Sequence, residues 1–251
     1  MMDTTAILQA IDHRPWPLPA GPWIMTQTWH ELLFAHWPIK PSELRPFVPP
    51  SLPLDTFEGQ CWVGVAPFHM SNVRPHWLPA IPELSRFAEL NVRTYVTVNG
   101  IAGVYFFSLD AGNPIAVTIA RTTFHLPYFN AVMRSLHIDG SIHYYSRRTH
   151  RGAPPAQFRA TYRSVGPVSY AQPGSLGQWL TERYCLYTVV RRDRVYRGDI
   201  HHRRWPLQAA ELETMCDTMA MSHGIHLPDT PPLLHYAQQL EVLIWPPRRV
   251  V

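Results

Sequence analysis

FAELNVRTYV, residues 87–96, is typical of a β-strand with two unlike faces. Side chains alternate across a strand, so Val92, Thr94 and Val96 would share one face. The opposite face would carry four polar side chains, Glu89, Asn91, Arg93 and Tyr95. Such a row either faces solvent, as in many antiparallel sheets, or lines a pocket. We favour the pocket, because asparagine and glutamate are poor strand formers and inward charges are costly unless they have a role.

The next run of sequence indicates a hairpin. Asn99-Gly100 separates two β-rich runs, 90–98 and 102–109, and Asn-Gly is the strongest short hairpin signal. The second run is aromatic or aliphatic on both parities, as expected for a strand covered on both faces. The sequence therefore predicts a polar row beside a buried strand.

Most of the remaining chain predicts short strands between turns. Further strands are predicted at 61–70, 115–120, 141–148, 157–164, 184–190, 194–202 and 239–245. The segment 26–37 fits neither the strand period nor the helix period cleanly. The 26 prolines of the chain suit many strands joined by ordered loops, because proline is confined to turns, edges and first helical turns.

A few helices are predicted among the strands, at 3–12, from Pro41, at 127–136 and at 206–222. The last has the strongest signal, because Pro206 would start it, good helix formers fill it and Gly224 follows it. The fold class predicted is mainly β (α+β), with antiparallel strands in a barrel or a curved two-sheet structure.

The domain organisation we expect is an N-terminal arm, residues 1–25, and one β domain, residues 26–251. No apolar run approaches the roughly 18 residues of a membrane span, and the first residues lack the basic start and apolar core of a secretory signal. We therefore expect a cytoplasmic protein without a membrane partner.

The charge balance invites a nucleic-acid function. The net charge is +4, and Lys40 is the only lysine among 22 basic residues. A basic balance without a helix-turn-helix or RNA-binding motif is weak evidence for nucleic acid. We favour solvated surface arginines and expect no specific nucleic-acid partner.

Motifs for metals and common cofactors are missing from the sequence. The three cysteines are widely spaced, with no C-x-x-C pair. Among the 14 histidines, neither His201-His202 nor the pair His223 and His226 lies in an H-E-x-x-H context. There is no P-loop, no G-x-G-x-x-G and no G-x-S-x-G. We therefore predict neither a metal nor a cofactor.

Several motifs in order resemble one family over roughly residues 28 to 247. They are F-x-E-x-N-V-R-T-Y-V at 87–96, G-V-Y-F-F-S-L-D-A at 103–111, A-R-x-x-F-x-L-P-Y at 120–128, E-R-Y-x-L-Y at 182–187 and H-x-x-W-P-L at 202–207. Together they resemble the YqjF-like family of uncharacterised bacterial proteins, which looks like a distant branch of the acetoacetate decarboxylase-like superfamily. The resemblance implies antiparallel strands curving around a central cavity, with a few peripheral helices.

The resemblance also separates the fold from the chemistry of that superfamily. The decarboxylases carry a glutamate after an aromatic-rich turn, and Glu89 occupies the matching place. They also carry a Phe-Pro-Lys-Lys run whose lysine forms a Schiff base, and its best counterpart here is Leu-Pro-Tyr-Phe at 126–129, without a lysine. Lys40 lies between Pro38 and Pro41, a poor setting for the lowered pKa that a Schiff-base amine needs. The fold can therefore be inherited without the chemistry.

Our first functional hypothesis is a pocket for a small carboxylate or keto acid, acting without a Schiff base. Glu89 is the acid/base candidate and Tyr128 the proton donor. Arg93 or Arg121 would hold a carboxylate or enolate, for which the guanidinium fork is suited. The remaining ligand-binding candidates are Tyr95, Asn91 and His202. Because Glu89 and Arg93 lie about 13 Å apart along one strand, we expect each to find a partner on another strand, with Arg121 and Tyr128 the leading candidates.

The second hypothesis is a non-enzymatic scaffold that binds a ligand or a partner. Glu89 and Arg93 would then form a structural buried network, and an apolar patch could join two chains in a homo-oligomer. An open cavity with unpaired polar groups would favour the first hypothesis, and an apolar patch joining two chains the second.

Overall fold

The computed structural model describes residues 2–191 and 193–251. Within them one sheet contains β1 Met25–Ile39, β2 Cys61–Pro75, β3 Phe87–Val98, β4 Ile101–Ala111, β5 Tyr128–Ile138, β6 Ser141–Arg148, β7 Gln157–Ser169, β8 Cys185–Val190, β9 Arg194–His201, β10 Leu207–Asp217, β11 Leu233–Ile244 and β12 Arg248–Arg249. The helices are α1 Thr4–Gln9, α2 Pro41–Leu44, α3 Pro82–Ser85, α4 Pro114–Thr123 and α5 Leu176–Thr181, with 3₁₀ turns at Arg45–Phe47 and Met221–His223. No helix of this part of the chain is long and apolar enough to cross a membrane.

The strands follow the spatial order β12-β9-β8-β4-β3-β2-β1-β11-β10-β7-β6-β5. Two further pairings, β9 with β11 and β4 with β5, join distant parts of this order and close the sheet into a ring. Most pairs are antiparallel, while β4 pairs in parallel with β5 and with β8. The predicted fold class, curved and largely antiparallel β with few helices, is confirmed.

The predicted hairpin is also confirmed. Val98 pairs with Ile101, and Asn99 and Gly100 have φ angles of 51° and 74°. Both positive values match a type I′ turn, which asparagine and glycine adopt at low cost. The run 26–37 lies in β1, and helices form at α1 and α2 as predicted.

Strand β3 is buried on both faces, which excludes the solvent-facing alternative for its polar row. Val92 and its neighbours of the same parity pack into the main apolar core, together with aromatic side chains of β6 and β7. On the other face Glu89 and Asn91 are only 3% and 2% exposed. The predicted strand therefore has its polar row inside the protein.

A β-bulge decides which side chains of β4 accompany the polar row. Opposite Val92 lies Ser108, but opposite Arg93 lies Phe106, so Phe107 is the extra residue on β4. An extra residue switches the parity of a strand. Leu109, Phe106 and Val104, which oppose Asn91, Arg93 and Tyr95, can therefore all share the polar face.

Two predicted helices are wrong, because both segments are strands of the sheet. Residues 207–217 form β10, which pairs with β7 from Leu207 to Asp217. Residues 128–138 form β5, which pairs with β6 along its length from Ala131. Helix propensity is worth a fraction of a kcal/mol per residue, and these long ladders of backbone hydrogen bonds outweigh it.

The predicted strand at 115–120 is also wrong, because this segment lies in α4. The Asn113 side chain accepts hydrogen bonds from the backbone N–H groups of Ile115 and Ala116. Pro114 occupies the first helical turn, where it has no intrahelical N–H bond to lose. Asparagine followed by proline is a helix-start signal, and it outweighed the β-branched residues that suggested a strand.

The residues before β1 pack against the end of β11. Ile7 of α1 and Trp23 form an apolar cluster with Leu243 and Trp245. The division into an arm, residues 1–25, and one domain, residues 26–251, remains a proposal, and residues 1 and 192 lie outside the described residues.

Candidate functional site

A cavity of about 390 Å³ lies on the polar face of β3. Glu89, Asn91 and Arg93 form part of its lining, together with Phe106 and Leu109 of β4, as the bulge requires. Other strands, α4 and the segment before α3 complete the wall. The sequence therefore brings an acid, an amide and a guanidinium to one internal surface.

Glu89 and Tyr128 form a direct polar contact in the wall of the cavity. The parallel pairing of β5 with β4 sets Tyr128 opposite Leu109, one strand away from β3. The Tyr128 hydroxyl donates a hydrogen bond of 2.7 Å to Glu89 Oε2. Both side chains line the cavity and are buried. Tyr128 is thus the predicted partner of Glu89 from another strand.

Burial changes the acid–base properties of this pair. Desolvation raises the pKa of Glu89 to about 7, against the opposing effect of the hydrogen bond from Tyr128. The pKa of Tyr128 is raised well above its usual value by burial and by the nearby Glu89 carboxylate. Glu89 can therefore gain or lose a proton near neutral pH, while Tyr128 remains a hydrogen-bond donor.

Arg93 presents unused hydrogen-bond donors. Its Nε donates to Asn91 Oδ1 at 2.8 Å, and its guanidinium lies over the rings of Phe34 and Phe106, at 5.3 and 5.8 Å from their centroids. Its two terminal NH₂ groups donate to no acceptor among residues 2–191 and 193–251. A guanidinium between aromatic rings with free terminal donors is suited to binding a carboxylate. Arg93 therefore packs on aromatic rings of other strands and not on the predicted Arg121 or Tyr128. Its hydrogen-bond partner Asn91 lies on β3 itself.

The structure does not bring Tyr95 and Arg121 to the cavity lining. Tyr95 is fully buried, and its hydroxyl shares a 2.6 Å hydrogen bond with His36 Nε2. Arg121 lies in the last turn of α4, exposed, and donates at 2.6 Å to the backbone carbonyl of Tyr128. Because its segment is a helix and not a strand, Arg121 contacts the Tyr128 backbone and neither Glu89 nor Arg93.

His202 lines the cavity as a neutral imidazole. Burial lowers its pKa to about 4. Its Nδ1 contacts the carbonyl of Arg203 at 2.6 Å, and its buried Nε2 has no hydrogen-bond partner in the described chain. Because Nδ1–H of the neutral ring donates to that carbonyl, the free Nε2 is an acceptor that a ligand hydroxyl or N–H group can reach.

Sequence reasoning missed Arg183, which was not among the predicted site residues. Arg183 lines the cavity and is 7% exposed. Its NH1 donates to Asp55 Oδ2 at 2.6 Å and its Nε to the Trp179 carbonyl at 2.6 Å. Its NH2 is buried without a partner among the described residues. The motif E-R-Y-x-L-Y contained this residue, but a contact 128 positions away in sequence cannot be read from the motif.

The only lysine lies outside the cavity. The Lys40 side chain is 72% exposed and contacts Glu43 Oε1 at 3.5 Å. The place that the resemblance aligns with the Schiff-base run holds Tyr128. No lysine side chain therefore lines this cavity.

A second, wider groove of about 780 Å³ lies beside His30, His69 and His137. The Glu31 carboxylate contacts Nδ1 of His69 at 3.4 Å and Nδ1 of His137 at 3.1 Å. No group of three or more His, Cys, Asp or Glu in the described chain has an arrangement that could hold a metal ion. We therefore place the candidate site in the cavity at Glu89.

A known protein family matches most of the chain. Over residues 26–241 the chain matches the model of DUF2071, a family of uncharacterized conserved proteins. It is also 50% identical to the uncharacterized protein YqjF of Bacillus subtilis (strain 168), over 92% of this chain and 95% of that protein. The chain belongs to this family, and the resemblance predicted from its motifs is confirmed.

Solved structures define the fold. Acetoacetate decarboxylase from Legionella pneumophila is similar with a TM-score of 0.62 at 13% identity, over 98% of this chain and 95% of that one. The enduracididine biosynthesis enzyme MppR, complexed with pyruvate, gives a TM-score of 0.60 at 12% identity, over 94% and 93%. The chain therefore has the acetoacetate decarboxylase-like fold.

Proposed function

We propose that this protein binds a small carboxylate or keto acid in the cavity and moves a proton on it without forming a Schiff base. The observation that carries the proposal is the buried pair of Glu89 and Tyr128 in a cavity that also holds the free donors of Arg93. The neighbours named above include a decarboxylase of acetoacetate and an enzyme complexed with pyruvate. Keto acids are therefore the first ligands to test.

The proposed step is proton abstraction next to a carbonyl group. The Glu89 carboxylate takes the proton from the carbon α to the ketone. The C–H electron pair forms a carbon–carbon double bond, and the π pair of the carbonyl moves onto its oxygen to give an enolate. Once Glu89 is protonated, the Tyr128 hydroxyl is free to donate to the enolate, and Arg93 holds the carboxylate by charge. Fixed donors aimed at developing negative charge are a large source of rate enhancement.

The non-enzymatic scaffold has less support. It required a structural network between Glu89 and Arg93. Asn91 links the two through hydrogen bonds, but they form no direct ion pair among the described residues, and Glu89 also accepts from Tyr128. Unpartnered donors remain on Arg93 and Arg183. Buried polar groups are normally satisfied, so donors left free at a cavity support a binding site more than a structural network.

Deuterium exchange tests the proposal. The wild-type protein is incubated with pyruvate in D₂O, and loss of the methyl proton signal is followed by NMR. General base catalysis contributes about 10²–10⁴-fold, so Glu89→Gln is expected to reduce exchange by at least about 100-fold. Lys40→Arg is the matched control and should exchange at the wild-type rate, because Lys40 is exposed and outside the cavity.

Two results would contradict the proposal. One is a wild-type protein that exchanges no faster than buffer with pyruvate and with longer 2-oxo acids. The other is exchange that survives Glu89→Gln but is lost in Lys40→Arg, with an adduct trapped on Lys40 by borohydride.

A further inference from the structure

The mouth of the cavity is unusually apolar for a protein surface. Four large aliphatic side chains there are about half exposed, Leu78 at 54%, Ile81 at 50%, Ile115 at 53% and Ile119 at 49%. All four also line the cavity. Exposed apolar side chains grouped around an opening mark a surface that binds something apolar. We call these four residues the apolar rim.

The wall between the rim and the polar floor is also largely apolar. It includes Val73, Leu84, Phe87, Phe124 and Leu126. Two polar side chains that interrupt it are engaged with neighbours: Gln27 accepts from Trp29, and Arg74 donates to Asn72 and to the Leu78 carbonyl. The free donors lie elsewhere in the lining, on Arg93, Arg183 and Trp205.

The size of the cavity exceeds what a three-carbon acid fills. A volume of about 390 Å³ corresponds to about a dozen water molecules at roughly 30 Å³ each. A pyruvate-sized ligand at Arg93 would leave most of the apolar wall in contact with water. A ligand with an apolar body would remove that wall from water, and its binding would gain free energy with each carbon buried.

We propose that the ligand is an amphipathic carboxylic acid. Its carboxylate or 2-oxo acid head contacts Arg93 near Glu89, and its aliphatic or aromatic body extends along the wall to the apolar rim. This inference rests on the proposed function, because it assigns the substrate class of the same cavity. Ile115 and Ile119 of α4 would then determine specificity for the apolar body.

A chain-length series tests the inference by calorimetry. Butanoate, hexanoate and octanoate are titrated into the wild-type protein, with octyltrimethylammonium as a probe that has the same chain and the opposite charge. Each buried methylene should tighten binding by about fourfold, so octanoate should bind about 200-fold more tightly than butanoate. The cationic probe should not bind measurably.

Two variants of α4 locate the apolar body. Ile119→Asp puts a charge on the rim and should weaken octanoate binding by at least about tenfold, while butanoate binding changes less than twofold. Thr118→Asp puts the same charge on the preceding residue, which is exposed and not part of the lining. This variant should leave both affinities unchanged. Both side chains are exposed, so equal melting temperatures confirm that each variant is folded.

The outcomes separate this inference from the proposed function. If affinity does not depend on chain length, or if Ile119→Asp and Thr118→Asp behave alike, the amphipathic ligand is wrong. Pyruvate exchange that depends on Glu89 would still leave the proposed function standing in that case. If no acid of any length binds and no exchange occurs, both are wrong.

Discussion

Two arginines on opposite sides of the β3–β4 pair, Arg148 buried and Arg93 partly buried, have very different surroundings. Arg148 of β6 reaches Asp110 of β4, with Nε at 3.1 and 3.0 Å from its two carboxylate oxygens and NH2 at 2.8 Å from Oδ1. Its NH1 donates to Ser222 and to the Pro154 carbonyl. Arg93 has one hydrogen bond, to Asn91, and free terminal groups among the described residues.

This difference separates a charge that holds the fold from a charge that is available to a ligand. Asp110 lies opposite Leu90 and Glu89 lies opposite Ala111, so the two carboxylates point to different faces of the same strand pair. Asp110 and Arg148 are 0% and 1% exposed and satisfy each other. A fully paired buried ion has no donors left for a ligand, whereas Arg93 keeps free donors at the cavity.

The largest effect on stability is expected for Arg148→Met. Removing one member of a buried ion pair leaves the other charge unpaired and typically costs about 3–5 kcal/mol. Urea denaturation should show a loss of this size. The double variant Asp110→Asn, Arg148→Met should recover part of it, and a loss below about 1 kcal/mol in Arg148→Met would show that this pair does not hold the fold.

A smaller effect is expected for Tyr128→Phe, which removes the hydroxyl that donates to Glu89. An average hydrogen bond contributes about 1 kcal/mol to stability, more when the acceptor is charged. The hydrogen bond from Tyr128 also lowers the pKa of Glu89, so its loss should move the pH dependence of proton exchange to higher pH. An unchanged pH profile would show that the two groups are not coupled.

The smallest effect on stability is expected for Arg93→Met, the counterpart of Arg148→Met on the ligand side. This variant gives up one hydrogen bond and retains much of the packing between Phe34 and Phe106, so it should lose less than about 1.5 kcal/mol. Carboxylate binding should fall by at least about tenfold, measured by calorimetry. A variant that loses as much stability as Arg148→Met and binds acids normally would abolish the distinction between the two arginines.

Local signals in the sequence were sufficient to predict the centre of the site. A strand pattern predicts that Glu89, Asn91 and Arg93 share one face, and Asn99-Gly100 predicts the turn. Both features depend only on residues close in sequence. The helix-start signal at Asn113-Pro114 is equally local, but the segment after it was predicted as a strand.

Other features depend on distant contacts that no local pattern contains. Strand β10 is rich in good helix formers, and its pairing partners in β7 lie about 40 to 60 residues earlier in the chain. The position of Arg183 depends on Asp55, and the lining of β4 depends on a bulge at Phe107. Tyr128 was predicted through the family resemblance, because its own segment was taken for a helix.

The central claim is that Glu89 serves a ligand and not the fold, and its linkage to pH gives the most direct test. The folded-state pKa of Glu89 is raised to about 7 from about 4.5, so the native protein binds a proton more tightly than the unfolded chain does. The contribution of this group to stability is therefore fully present below about pH 4.5 and is lost as pH rises through 7. At 1.36 kcal/mol per pKa unit this loss is about 3 kcal/mol.

The decisive measurement is urea denaturation of the wild-type protein and Glu89→Gln at pH 5 and pH 8. The neutral variant lacks the titrating group, so it should be about as stable as the wild type at pH 5 and more stable at pH 8, by up to about 3 kcal/mol. Keto acid exchange should be lost in the same variant. A Glu89→Gln protein that is several kcal/mol less stable at pH 8 and keeps its ligand affinity would make Glu89 structural and contradict the site.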